Sequence, residues 1–205
     1  MIQPARNHPP LVIYGAGDHG LVVADAARAA GTHVLGFLDD APHPAGRDLL
    51  DPDHPTVAAA EFIVAIGDNA ARLKVLCHLR EQGRSLINVV HPDATVSTEV
   101  QLGRGIYVGP RAVVGPAVEL GDAVIINSAS VVEHHDRLAA GVHVAPGAAL
   151  AGRVGVGEST LVGLGARVLP GLKLGKRCIV GAGAVVTRDV PDHTTVRGIP
   201  AKAEG

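Results

Sequence analysis

Aromatic residues are almost absent from this 205-residue sequence, which holds two Phe, two Tyr and no Trp although 47% of its residues are hydrophobic. Protein interiors are closely packed, so an interior with so few aromatic rings must be filled by smaller side chains. The shortage therefore indicates a narrow core made of Val, Leu, Ile and Ala layers.

Cysteine is scarce, and long apolar runs and an excess of one charge are missing. The two cysteines, Cys77 and Cys178, have no metal-site spacing and fall in predicted packed elements, so a reduced, cytoplasmic protein is expected. No stretch is long enough to cross a membrane, and the polar segment from Met1 to Pro10 does not resemble a signal peptide. The net charge of −2 and the scattered basic residues do not indicate a nucleic-acid or anionic-membrane partner.

What the sequence does hold is a period of six residues over about half its length. Every sixth residue from Val90 to Val186 is Val, Leu or Ile, and the next step, Asp192, ends the pattern. The residue after each of these aliphatic positions is usually small. A second set, four residues after each aliphatic position, is small or slim and includes Ala112, Val118, Ser130, Ala148, Thr160, Ala166, Cys178 and Ala184. So regular a short period predicts a solenoid with one shared interior.

Six residues suit one short strand and one corner, and three such units make a triangular coil of eighteen residues. The aliphatic position points into the prism, and the residue four positions later must be small because the corner leaves little room. The segment from Thr195 to Lys202 leaves the period and is expected to cover the last coil.

The residues before the solenoid predict a small α/β unit. Buried strands are expected at 11–14, 34–38 and 62–66, and helices at 21–30 and 70–82. Asn69 is expected to cap the second helix, Gly83 to end it, and residues 41–56 to form a loop. Strand, glycine turn, helix and strand describe half of a doubly wound nucleotide-binding sheet.

The first turn of this unit contains Gly15, Gly17 and Gly20, and Asp39 follows about twenty residues later. This arrangement is typical of a dinucleotide site, in which the acid binds a ribose. A tight turn without a ligand gives the same pattern. Because three strands are too few for two mononucleotide halves, we favour a site for a nucleotide-linked sugar.

Histidines are concentrated in one part of the solenoid. His134 and His135 precede Asp136, and His143 follows nine residues after His134. The period points His134 and His143 away from the prism and places them on different faces, which a trimer could bring together. An imidazole oriented by a carboxylate is a common general base near neutral pH.

Several motifs together resemble one family. They are Gly-Ala-Gly-Asp-His-Gly, Phe-Leu-Asp-Asp, Ala-Ile-Gly-Asp-Asn, Asn-Ser-Ala-Ser-Val-Val-Glu-His, His-Val-Ala-Pro-Gly and Gly-Ile-Pro-Ala-Lys. The sequence from about residue 11 to residue 202 resembles bacterial hexapeptide-repeat sugar acetyltransferases that act on nucleotide-linked 4-amino sugars, and their sialic-acid O-acetylating relatives. The resemblance implies an α/β half-Rossmann domain at residues 1–87, followed by an all-β left-handed parallel β-helix at residues 88–205. It also implies a homotrimer with acetyl-CoA between adjacent β-helices.

The resemblance assigns roles to individual residues. His134 matches the general base, and His143, Leu164 and Ala182 match contacts of acetyl-CoA. The positions that match the surroundings of the nucleotide sugar are Gly17, Asp18, His19, Asp39, Asp40 and Gly67. From the chemistry of acyl transfer, we expect backbone N–H groups near Gly152 to bind the oxyanion.

The sequence departs from the family pattern at position 135. An acid usually follows the base, whereas this chain has His135 and then Asp136. Asp136 occupies an inward position, where a carboxyl group needs a partner. We therefore expect Asp136 to orient one of the histidines, with a local bulge or a substitution without a role as the alternatives.

The sequence thus predicts direct N-acetylation of a UDP-, GDP- or dTDP-linked 4-amino-4,6-dideoxy sugar, with no metal. No Ser or Cys lies beside a base, so an acyl-enzyme is not expected. O-acetylation of a sugar or sialic acid is the first alternative. A zinc lyase of the γ-carbonic-anhydrase type, with ligands from His134, His135 and His143, and a non-catalytic nucleotide-sensing protein are alternatives of other classes.

Overall fold

The structure is a computed structural model that describes residues 9–40 and 49–203. The first part of the predicted loop, residues 41–48, lies outside the described residues. None of the helices in the described ranges is long and apolar enough to span a bilayer.

The N-terminal unit is a four-stranded parallel sheet with strand order β2-β1-β3-β4. Its strands are β1 (Leu11–Tyr14), β2 (Val34–Leu38), β3 (Glu61–Val64) and β4 (Ser85–Leu86). Its helices are α1 (Asp18–Ala29), α2 (Pro55–Ala58) and α3 (Asn69–Glu81). The expected strand–turn–helix–strand order is present.

Four details of this unit differ from the prediction. Helix α1 begins at Asp18 rather than at Leu21, because Gly17 serves as an extended N-cap and the glycine turn is shorter than expected. Helix α3 is capped by Asp68 rather than by Asn69, since the Asp68 side chain accepts from the Ala71 N–H at 2.8 Å. The sheet gains a fourth strand in β4, and α2 forms inside the predicted loop.

The rest of the chain forms a three-sided parallel β-solenoid. Face 1 contains β5 (Val89–Val90), β8 (Tyr107–Val108), β11 (Ile125–Ile126), β14 (His143–Val144), β17 (Leu161–Val162), β20 (Ile179–Val180), β22 (Thr195–Arg197) and β23 (Lys202–Ala203). Face 2 contains β6 (Thr95–Val96), β9 (Val113–Val114), β12 (Val131–Val132), β15 (Ala149–Leu150), β18 (Arg167–Val168) and β21 (Val185–Val186). Face 3 contains β7 (Gln101–Leu102), β10 (Glu119–Leu120), β13 (Arg137–Leu138), β16 (Gly155–Val156) and β19 (Lys173–Leu174).

The six-residue period predicted both the pairing register of the strands and the residues that fill the interior of the solenoid. Each strand pairs with the strand eighteen residues away, as Val131 does with Val113 and with Ala149. Every aliphatic position from Val108 to Val186 is buried in one hydrophobic cluster. The three aliphatic positions of the first coil are less covered, because no coil lies beneath them: Val90 and Val96 are half-buried and Leu102 is 43% exposed.

The N-terminal unit packs on face 1 and on the corner between faces 3 and 1. Residues of α1 share a hydrophobic cluster with Val89, Tyr107 and Ile125 of face 1. On the corner, a Cβ atom at Gly105 would come within 2.4 Å of Leu76, so α3 lies directly against the coil. The division between residues 87 and 88 falls between β4 and β5 and remains our proposal.

The C-terminal segment covers the last coils, as its loss of the period suggested. Strand β22 continues face 1 in parallel with β20, and β23 pairs with β22 in antiparallel fashion. Ala201 packs against the solenoid cluster. Of the two cysteines, Cys178 is buried as expected, whereas Cys77 is exposed on α3.

Candidate functional site

The residues predicted to surround a nucleotide sugar meet at the carboxyl edge of the N-terminal sheet. Gly17, Asp18 and His19 follow β1, Asp39 and Asp40 follow β2, and Gly67 follows β3. Parallel sheets bind their ligands at this edge. The strand topology therefore brings the predicted set together.

Of the four glycines at this edge, two are required by close packing and two leave open space. A Cβ atom at Gly15 would be 2.6 Å from the Ala65 carbonyl oxygen, and one at Gly20 would be 2.1 Å from the Gly15 carbonyl oxygen. These two glycines are therefore required by packing. A Cβ atom at Gly17 or at Gly67 would meet no atom within 4 Å, so these two positions leave bare backbone open to a ligand.

The two acids after β2 are held against the strand–helix turn. Asp39 Oδ2 accepts from the Ala16 N–H at 2.8 Å, and Asp40 accepts from the Tyr14 hydroxyl. Burial, followed by the bond to Asp40, raises the pKa of Tyr14. Asp39 therefore braces the turn, a role that the sequence pattern of a ribose-binding acid did not reveal.

His134 lies on the corner between faces 2 and 3, directly beneath Gly152. A Cβ atom at position 152 would come within 2.5 Å of His134 Cε1 and 2.6 Å of its Nε2. Among the described residues the Gly152 N–H has no acceptor. The general-base candidate and the expected oxyanion site are thus neighbours in successive coils.

Asp136 does not orient a histidine, contrary to our expectation. It is fully buried inside the prism, where Oδ1 accepts from the Val154 N–H at 2.8 Å and Oδ2 has no partner among the described residues. Its carboxylate also accepts from the Glu133 backbone, and burial raises its pKa to about 7. Because the side chain points into the prism, it braces the turn from within. The pair actually formed is between His134 Nδ1 and His135 Nδ1, at 3.1 Å.

His143 lies on the outer surface of face 1, where Asn127 determines its tautomer. Asn127 Oδ1 accepts from the Ser128 N–H at 2.8 Å, so the amide nitrogen must be the atom that faces His143 Nε2 at 3.1 Å. His143 Nε2 is then the acceptor, and the ring carries its proton on Nδ1. The arrangement leaves Nδ1–H as a donor for a ligand.

Arg72 joins the two parts of the molecule beneath this site. Its fully buried guanidinium donates to Ala123 and Gly141 of the solenoid. It also donates to Ile66, Gly67 and Asn69 of the N-terminal unit. Burial lowers the pKa of Arg72 to about 10.

Two histidines near Arg72 are kept neutral. Burial, with the charge of Arg72 as the next cause, lowers the pKa of His19 and of His143 to about 4. Their ring centroids are 6.5 Å apart, and His19 also stacks edge-on against Tyr107. His19 Nε2 and the Tyr107 hydroxyl are both buried and have no hydrogen-bond partner among the described residues.

Sequence reasoning missed Arg72, Tyr107 and Asn127. Arg72 shares the buried face of α3 with Leu76 and Leu79, and a charge at that spacing among apolar residues was the available signal. Asn127 occupies the position after an aliphatic residue where most coils have a small residue. Tyr107 gave no signal, because nothing in the sequence shows which outer positions the N-terminal unit covers.

The predicted acetyl-CoA contacts divide between two corners. Leu164, which is 58% exposed, and Ala182 lie in successive coils on the corner between faces 1 and 2, and His143 lies on the adjoining face. Gly152 lies with His134 on the corner between faces 2 and 3. Face 2 separates the two groups within one protomer.

A cavity of about 490 Å³ lies between the start of α3 and face 1. His143, Asn69, Leu161 and Ile179 contribute to its lining. The zinc alternative required three ligands, and within the described ranges of one protomer no three His, Cys, Asp or Glu side chains are grouped to hold a metal ion.

Comparison with known proteins identifies both parts of the chain. Residues 10–79 match the PglD N-terminal domain. A perosamine N-acetyltransferase variant from Caulobacter crescentus, solved with CoA and GDP-perosamine, is 41% identical and superposes with a TM-score of 0.91 over 96% of this chain and 97% of that chain. The acetyltransferase domain of PglB from Neisseria gonorrhoeae, solved with acetyl coenzyme A, is 37% identical, with a TM-score of 0.88 over 96% of this chain and 100% of that domain.

Curated relatives match over a shorter length. A 2,3,4,5-tetrahydropyridine-2,6-dicarboxylate N-acetyltransferase from Staphylococcus aureus is 45% identical over 69 residues, which are 30% of this chain and 29% of that relative. The two solved structures, by contrast, cover nearly the whole chain and confirm the left-handed β-helix. The chain therefore belongs to the hexapeptide-repeat sugar acetyltransferases with a PglD-type N-terminal domain.

Proposed function

We propose that the protein transfers the acetyl group of acetyl-CoA to the amine of a nucleotide-linked 4-amino-4,6-dideoxy sugar. The observation that carries this proposal is the near-complete match to an enzyme solved with both CoA and GDP-perosamine. His134 beneath Gly152 and neutral His143 supply the matching chemistry.

The nucleotide sugar is proposed to bind at the carboxyl edge of the N-terminal sheet. Gly17 and Gly67 let the ligand approach the backbone, and the N–H groups at the start of α1 favour an anionic group. His19, at the start of α1, belongs to the same set. Asp18, Asp39 and Asp40 complete the set.

A homotrimer is proposed to complete the site. Four of the six outer residues of face 2 are apolar, namely Val113, Val131, Ala149 and Val185, and the other two are Thr95 and Arg167. The outer residues of face 3 include the charged Glu119, Arg137 and Lys173. Packing face 2 against neighbours would bury apolar surface. It would also place His134 and Gly152 of one protomer beside His143, Leu164 and Ala182 of the next.

The reaction follows from these positions. The neutral sugar amine attacks the thioester carbonyl carbon and forms the C–N bond, while His134 Nε2 takes the proton that the nitrogen loses. Gly152 N–H and His143 Nδ1–H donate to the developing oxyanion. The C–S bond breaks, the CoA sulfur leaves as a thiolate, and His134 returns the proton to it.

His143 is a hydrogen-bond donor rather than a second base in this scheme. Its pKa of about 4 keeps the ring neutral at the pH where the amine reacts. Its Nε2 lone pair is occupied by the Asn127 amide, so only Nδ1–H faces a ligand.

O-acetylation of a sugar or sialic acid remains the alternative, since the same base can act on a hydroxyl group. The short match to a tetrahydropyridine-dicarboxylate N-acetyltransferase is compatible with the acetyl-CoA half of the reaction. Two free cysteines fit a reducing compartment, and we propose a cytoplasmic location.

The proposal is tested by free thiol release from acetyl-CoA with UDP-, GDP- and dTDP-linked 4-amino-4,6-dideoxy sugars. Release with one of them identifies reaction, acceptor and nucleotide together, and His134→Ala should lower it by about 10²–10⁴-fold. Acetyl-CoA binding without release across the panel would favour O-acetylation. Absence of coenzyme binding would contradict the proposed function.

A further inference from the structure

His135 forms a hydrogen-bonded pair with the proposed base where the family pattern has an acid. The two Nδ1 atoms are 3.1 Å apart, and the rings meet edge-on with centroids separated by 5.3 Å. His135 adopts a left-handed conformation with φ of 62°, which histidine tolerates better than most residues. The turn therefore directs the side chain of residue 135 back toward His134.

Only one arrangement of protons in this pair lets His134 act as a base. A neutral imidazole has one N–H donor and one acceptor nitrogen. His134 Nε2 lies at the open position under Gly152, and it can accept a proton only if His134 carries its own proton on Nδ1. His134 Nδ1–H must then donate to His135 Nδ1, and His135 carries its proton on Nε2.

We propose that His135 is a positioning residue that fixes the tautomer of His134, so that a histidine–histidine dyad replaces the usual histidine–carboxylate pair. The effect of the dyad on the reaction rate rests on the proposed function. The hydrogen bond between the two histidines does not, because it is present in the protein without substrate. When His134 accepts the substrate proton, the positive charge is shared with a neutral imidazole rather than neutralised by an acid.

The surroundings of the dyad do not replace the missing carboxylate. His135 lines a cavity of about 510 Å³ together with Arg137, Arg153, Glu99 and Glu119. Glu119 is paired with Arg137 at 3.2 Å. Asp136 is buried inside the prism, where its carboxylate accepts from the Val154 N–H and from the Glu133 backbone. An acid introduced at position 135 would therefore add a charge that the native site lacks.

The test combines pH–rate profiles with NMR of the ring nitrogens in the free protein. His135→Ala should lower kcat roughly tenfold to hundredfold, the range known for partners that orient metal-bound imidazoles, and leave KM for acetyl-CoA unchanged. His135→Asn should restore most of the rate, since its amide oxygen can accept from Nδ1–H. His135→Asp should restore the rate and move the acid limb of the profile to higher pH. His193→Ala is the matched control, because His193 is also exposed with φ of 59°.

NMR separates this inference from the proposed function. We expect His134 as the Nδ1–H tautomer in the native protein and a loss of that preference in His135→Ala. If His135→Ala changes neither the tautomer of His134 nor kcat nor the acid limb, while His134→Ala abolishes transfer, the dyad is wrong and the proposed function stands. If the native protein transfers no acetyl group, the NMR result alone decides the dyad.

Discussion

A Cβ atom on residue 152 would lie 2.5 Å from Cε1 of His134, so the imidazole fits beneath the next coil only because residue 152 is glycine. Gly152→Ala should displace the ring and lower kcat by roughly a hundredfold, as expected for a misplacement of about 1 Å. Steady-state kinetics and thermal unfolding of the variant measure this.

The matched control for Gly152→Ala is Gly155→Ala in the same coil, whose added Cβ would meet only Lys173 Cγ at 3.9 Å. It should keep native activity and stability. Equal activity of the two variants would show that the contact between residue 152 and His134 is unimportant.

The tautomer of His143 gives a second prediction. In Asn127→Asp, a carboxylate would favour the proton on His143 Nε2 and remove the Nδ1–H donor. We expect kcat to fall roughly tenfold to hundredfold while acetyl-CoA still binds. Asn88→Asp, which changes a hydrogen-bonded asparagine away from the site, controls for the added charge. Unchanged kcat in Asn127→Asp would remove His143 from the oxyanion site.

Arg72 gives a prediction about stability. Its removal leaves the buried carbonyl groups of Ala123 and Gly141 without a donor, so Arg72→Met should lower the free energy of unfolding by about 2–4 kcal/mol. Arg28→Met, an exposed change on α1, should have little effect. Chemical denaturation measures both, and similar midpoints would contradict the role of Arg72 in joining the two parts.

The buried carboxyl group of Asp136 should make the free energy of unfolding depend on pH. Its pKa is raised from 3.8 to about 7 by burial, so the folded protein holds this proton to higher pH than the unfolded chain. The contribution of the group to stability is present below about pH 4 and is lost as pH rises toward 7. Asp136→Asn should therefore be more stable than the native protein at pH 8 by about 1 kcal/mol or more, with a flatter pH dependence.

Denaturation at several pH values checks the Asp136 prediction, with the exposed change Glu81→Gln as control. A variant that is less stable than the native protein at pH 8 would mean that the ionised carboxylate braces the turn more strongly than its burial disfavours it.

The solenoid could be predicted from the sequence because every coil places the same kinds of side chain in the same positions. Each aliphatic position faces the same interior, so a single period gave the strand register and the buried set from Val108 onward. The corner residues with positive φ, such as Arg111 and Ser159, could not be predicted, because they are not glycines or another single residue type. Neighbouring coils impose that backbone conformation.

The candidate site could be predicted only in part. Gly17 and Asp39 followed from the glycine pattern and the corner position of His134 from the period, whereas Asp18, His19, Asp40 and Gly67 were implied by the family resemblance. The role of Asp136 was wrong, because a period shows that a side chain points inward but not which backbone groups it meets there. Arg72 and Tyr107 depend on how the N-terminal unit packs on face 1, which is tertiary information.

The central claim is that the site combines His134 of one protomer with His143 of its neighbour, and subunit mixing tests it most directly. His134→Ala and His143→Ala proteins, each nearly inactive alone, are unfolded, mixed in equal amounts and refolded, and thiol release is measured. About one quarter of the sites in random trimers should then pair an intact His134 with an intact His143, with activity restored in proportion. No recovery in mixed trimers of native stability would contradict the shared site.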